Sequence, residues 1–193
     1  MKYCSNFCLG NLQTNDTMID RMTDEELFRQ FRPYCAILTT QTNAECLEKL
    51  ALLCDKTPAE DLEKLQEYLM FPAQLHLKTK TGSCSSNYTV SMLEFITNFY
   101  RRVTLSSFFI FKDILSSCLS LVSSSSPKPS NEDIQMSMCE CIKQLLISSH
   151  DGHGGGVISE IMSQSNNMKL PLSHLIFTCL TWAEDNKVST LHL

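Results

Sequence analysis

Residues 24–78 read DEELFRQFRPYCAILTTQTNAECLEKLALLCDKTPAEDLEKLQEYLMFPAQLHLK, and this stretch decides the fold. Three helices follow one another, each with a start signal. Thr23 can cap the first, with Glu26 three residues on to complete a capping box. Asn43 can cap the second, and Thr57 the third, with Pro58 at its first position and Glu60 beyond it. In the first helix (about 24–39) Leu27, Phe31, Tyr34, Cys35 and Leu38 recur at helical spacing, so they share one face. Leu47, Leu50, Leu53 and Cys54 do the same in the second (about 44–54). Leu62, Leu65, Leu69 and Met70 do so in the third (about 58–70). Pro33 is expected to bend the first helix, and Phe71-Pro72 to break or bend the third, because proline lacks an N–H. Three apolar faces in quick succession have to be buried against other helices.

The same pattern extends outward. Residues 1–22 show no periodicity and read as a loose tail. Residues 78–83 read as a loop, followed by a fourth helix (about 86–102) with Val90, Leu93, Ile96, Phe99 and Tyr100. A fifth (about 105–122) carries Phe108, Phe109, Phe111, Ile114, Leu115, Cys118, Leu119 and Val122. It is apolar nearly all round, so it should lie between neighbours. SSSSPKPSN at 123–131 is a linker. A sixth helix (about 132–148) uses Ile134, Met138, Cys141, Ile142, Leu145 and Leu146. A glycine-rich loop at 150–156 precedes a short helix over Val157–Met162 and a last one starting near Pro171. No alternating strand pattern occurs. Helix pairs on short loops predict an all-α fold, a HEAT/armadillo-type α-solenoid of antiparallel helix pairs over 23–193. The uneven spacing leaves an irregular helical bundle as the alternative.

Composition narrows the function. The chain has 193 residues and a formal net charge of −5, which argues against direct nucleic-acid binding, since phosphate recognition needs a basic stripe. Its one arginine pair, Arg101-Arg102, reads as a helix C-terminal feature. The ten cysteines form no Cys-x-x-Cys motif. Most sit on or beside apolar helical faces, where reduced cysteine acts as a small hydrophobe. Neither Cys4/Cys8 nor Cys139/Cys141 has the spacing of a strong zinc site. The N-terminus lacks a signal-peptide core, and the apolar run 103–122 carries Lys112 and Asp113 at its centre, unlike a membrane span. The sequon Asn87-Tyr88-Thr89 is therefore read as chance, and the chain as soluble, intracellular and reducing.

Candidate chemistry is sparse. His153-Gly154-Gly155-Gly156 has the form of an esterase oxyanion loop, but no Gly-x-Ser-x-Gly nucleophile elbow accompanies it. Nor does a Gly-Lys-Ser/Thr follow to make a P-loop. His150, Asp151, His153 and His174 fall on a loop and a distant helix, which reads as solvated surface rather than a metal site. Cys139 and Cys141 lack a positioned base. The runs Glu45/Glu48/Lys49 and Glu60/Asp61/Glu63/Lys64/Glu67 read as solvated faces with i,i+4 pairing, or as an acidic docking surface. No catalytic, cofactor-binding or metal-ligating residue is assigned, and no cofactor, small-molecule substrate or membrane is expected.

At residues 24–78 a specific resemblance emerges. Arg32-Pro33 followed by Cys35, then Leu65-Gln66, Tyr68, Phe71-Pro72 and Leu77-Lys78-Thr79, resemble the N-terminal region of the Tel-two-interacting protein one family. Leu170-Pro171 through Leu180-Thr181-Trp182-Ala183-Glu184 resembles a further helix of that family. The resemblance implies a non-enzymatic HEAT-repeat scaffold of the TTT cochaperone complex. Its implied partners are a Tel-two-type subunit, a second interacting subunit, the ninety-kilodalton heat-shock chaperone and the phosphatidylinositol-3-kinase-related kinases (mTOR, ATM and ATR type). That implies a place in growth and DNA-damage signalling, in the cytoplasm and also the nucleus. Family members are much longer, so the chain is expected to be the N-terminal part of an array truncated at its C-terminus. A generic armadillo-type adaptor is the alternative, with a hydrolase built on the HGGG loop behind it.

Overall fold

The computed structural model describes residues 23–79, 86–124 and 132–150. The tail 1–22, the two helices expected beyond residue 156 and the HGGG loop lie outside these residues. The described residues form six helices: α1 (Asp24–Thr40), α2 (Ala44–Lys56), α3 (Ala59–Thr79), α4 (Ser86–Tyr100), α5 (Phe108–Ser124) and α6 (Glu132–His150). No strand occurs among the described residues.

The first two helices start as their sequence dictates. Thr23 Oγ1 accepts from the Glu26 N–H at 3.3 Å, and the Glu26 carboxylate accepts from the Thr23 N–H at 3.0 Å, which closes the capping box. Asn43 Oδ1 accepts from the Cys46 N–H at 2.9 Å. The third start differs from expectation. Thr57 ends α2 instead of starting α3: its hydroxyl donates back to the Leu53 carbonyl at 2.8 Å. The Pro58 carbonyl accepts the first α3 bond, from the Leu62 N–H.

Neither proline ends its helix. α1 contains Pro33 and α3 contains Pro72, so the break considered at Phe71-Pro72 does not occur. Leu69, Met70, Ala73 and Leu77 are all buried, and their apolar face continues across the proline. A buried aliphatic side chain contributes about 1.5–3 kcal/mol, enough that several together offset one missing backbone bond.

Helix packing follows two layers. α1 packs on α3 and α3 on α5, α2 packs on α4 and α4 on α6, and α1–α2, α3–α4 and α5–α6 cross between the layers. Within a layer the helices run the same way. Lys64 near the start of α3 reaches Asp24 at the start of α1 (3.5 Å), while Lys78 near the end of α3 reaches Asp113 in α5 (2.7 Å). Short connections then make successive helices antiparallel, an all-α solenoid as expected. The contacts Lys64–Asp24, Gln66–Ser106 and Glu67–Ser107 each span 40 residues.

The expected core faces are mostly right. Leu27, Phe31, Cys35 and Leu38 of α1 are buried, as are Leu50, Leu62, Leu69, Leu93 and Ile96. On α5, Phe108, Phe111, Ile114, Leu115 and Cys118 are buried, but Phe109 is 75% exposed and so leaves the expected core. The cysteines Cys35, Cys46, Cys54, Cys118 and Cys141 are buried and free. Burial pushes the Cys35, Cys54 and Cys141 thiols up to about 12. A thiol held protonated in this way is packing material rather than a nucleophile.

The boundaries also shift. Lys78 and Thr79 belong to α3 rather than to a loop, and Ser123 and Ser124 belong to α5 rather than to the linker. α5 starts at Phe108, later than expected, because side chains from neighbouring helices capture the backbone of residues 104–106.

Candidate interaction site

Residues 101–107, between α4 and α5, are held from three sides. From α3, the Glu63 carboxylate accepts from the Thr104 N–H (3.3 Å). Gln66 accepts from the Ser106 N–H (3.4 Å) and donates to the Ser106 hydroxyl (2.6 Å), and the Ser107 hydroxyl donates to Glu67 (3.1 Å). From α6, the buried Ser148 hydroxyl accepts from the Leu105 N–H (2.8 Å) and donates to the Val103 carbonyl (2.7 Å). Gln144 donates to the Tyr100 carbonyl (2.9 Å). Buried backbone groups with no helical partner need such side chains, since leaving one unpaired costs about 1–3 kcal/mol.

Just past the end of α4, the arginine pair of the connection itself reaches outward. The Arg102 guanidinium donates to the Cys54 and Thr57 carbonyls, the latter at 2.8 Å, and lies 3.8 Å from the Asp55 carboxylate. It therefore caps the C-terminus of α2, where unpaired carbonyls carry partial negative charge. The expected C-terminal role is real, but it is played on another helix. Arg101 donates to Asn98 (3.0 Å) and to Glu140 of α6 (3.1 Å). Lys143, at 3.2 Å, and then Arg101 hold the Glu140 carboxyl below its usual pKa.

Beside this clasp a cavity of about 350 Å³ opens between α2 and α4. Ala51, Leu62, Phe95 and Phe99 form its apolar walls, and Asp55, Asn98, Arg101 and Arg102 line it with polar groups. Sequence reading missed this site. The Arg101-Arg102 pair was its one visible trace, because the other walls come from separate helices.

The residues weighed for chemistry fall elsewhere. Cys139 is half-buried and Cys141 buried on α6. Asp151, His153 and His174 lie outside the described residues, as do Cys4 and Cys8. Among the described residues no group of three His, Cys, Asp or Glu side chains is placed to hold a metal, and no helix is long and apolar enough to cross a membrane. The sequon falls inside α4, with Asn87 exposed and Thr89 buried. The acidic runs are partly solvated, with Lys49–Glu45 at 2.6 Å and Lys64–Asp61 at 3.0 Å. Glu63 and Glu67, however, are engaged with residues 104 and 107.

Comparison with known proteins agrees with this architecture. The chain is 27% identical over 131 residues to the human TELO2-interacting protein 1 homolog, and equally to the mouse protein. The match covers 66% of this chain but 12% of each relative, so the chain corresponds to a small part of their length. No solved structure matches. The model of the TTI1 N-terminal TPR domain matches residues 28–193, nearly the whole helical stack and the clasped α4–α5 connection with it. The chain is thus a helical scaffold related to TTI1 and belongs to the TTI1 N-terminal TPR domain family.

Proposed function

We propose that this chain is the N-terminal repeat module of a TTI1-type scaffold that supports maturation of phosphatidylinositol-3-kinase-related kinases together with the heat-shock chaperone. One observation carries the reading: the family match over residues 28–193 takes in the two-layer helical stack formed by the described residues. A stack of this kind offers long surfaces for protein partners. The relatives are named as TELO2-interacting proteins, so a TELO2-type subunit is the first partner proposed, with a second complex subunit and the kinases after it. The role is non-enzymatic, and the place of action is the cytoplasm with the nucleus as a second compartment.

Affinity purification of the tagged protein from its own cells, in mild salt, tests the proposal. A TELO2-type protein and at least one of these kinases should co-purify, and depletion should lower kinase abundance. Recovery of neither partner, with kinase levels unchanged on depletion, would overturn it. Cell fractionation checks the compartment.

A further inference from the structure

We draw no further inference here: the strongest candidate, the cavity between α2 and α4, carries none, because its two arginines are already paired with Asp55 and Glu140 and nothing in the structure shows what occupies it.

Discussion

The α1–α2–α3 end and the α4–α5 connection are held by different means. At the first, each of the two leading helices starts with a cap written in its own sequence, and apart from the exposed Lys64–Asp24 pair the contacts are mainly apolar or thiol-lined. Phe28 packs on Tyr68 with ring centroids 4.5 Å apart, and the Cys46 thiol rests 3.7 Å from the Tyr34 carbonyl. At the second, Glu63, Gln66, Gln144 and Ser148 bind backbone groups of residues 100–106 across about 40 residues of sequence. The first arrangement relies on burial, which tolerates exchange among apolar side chains. The second relies on donors and acceptors meeting in place, where a missing partner is costly.

That contrast can be broken from either side. Phe31→Ala removes a fully buried ring and should cost about 3–5 kcal/mol, while Phe31→Leu should cost less than half of that. Urea unfolding checks both. Ser148→Ala leaves the Leu105 N–H and Val103 carbonyl without their partner and should cost about 1–3 kcal/mol. Hydrogen exchange should then rise at residues 103–106 while α1 and α2 keep their protection. If exchange rises evenly along the chain, the clasp is not a separate unit of stability.

Smaller effects sharpen the comparison. Thr23→Ala removes the α1 capping box and should cost about 0.5–2 kcal/mol, with faster exchange confined to the first turn of α1. The weakest effect is on pH. The carboxyls of Glu26, Glu45 and Glu140 are held below their usual pKa by hydrogen bonds from Thr23, by Lys49, and by Lys143 with Arg101, respectively. Each favours the folded state above the ordinary carboxylate pKa of 4.5 and loses that contribution as pH falls through its lowered value. Thermal unfolding midpoints should therefore drop below about pH 4.5. Glu140→Gln should flatten part of that drop.

Helix identity was legible because it depends on neighbours in sequence. Thr23 and Glu26 lie three apart, and the faces of α1 through α6 repeat at helical spacing. Expectations failed where one residue answers to a distant one. Thr57 satisfies the Leu53 carbonyl rather than α3, Phe109 leaves the core, and α5 begins late because Glu63, Ser148 and Gln66 hold the backbone before it. The same reason explains Arg102, whose charge was visible while its target, the end of α2, was not.

Within the described residues, the sequence alone determined the helical character of α1–α6, the caps at Thr23 and Asn43, and the need to bury the apolar faces against one another. Local hydrogen bonding and apolar periodicity suffice for that. Only the tertiary structure decided the two-layer order, the clasp on residues 101–107 and the cavity between α2 and α4. Those arise when residues about 40 positions apart come together, and no local pattern records which side chain will meet which carbonyl.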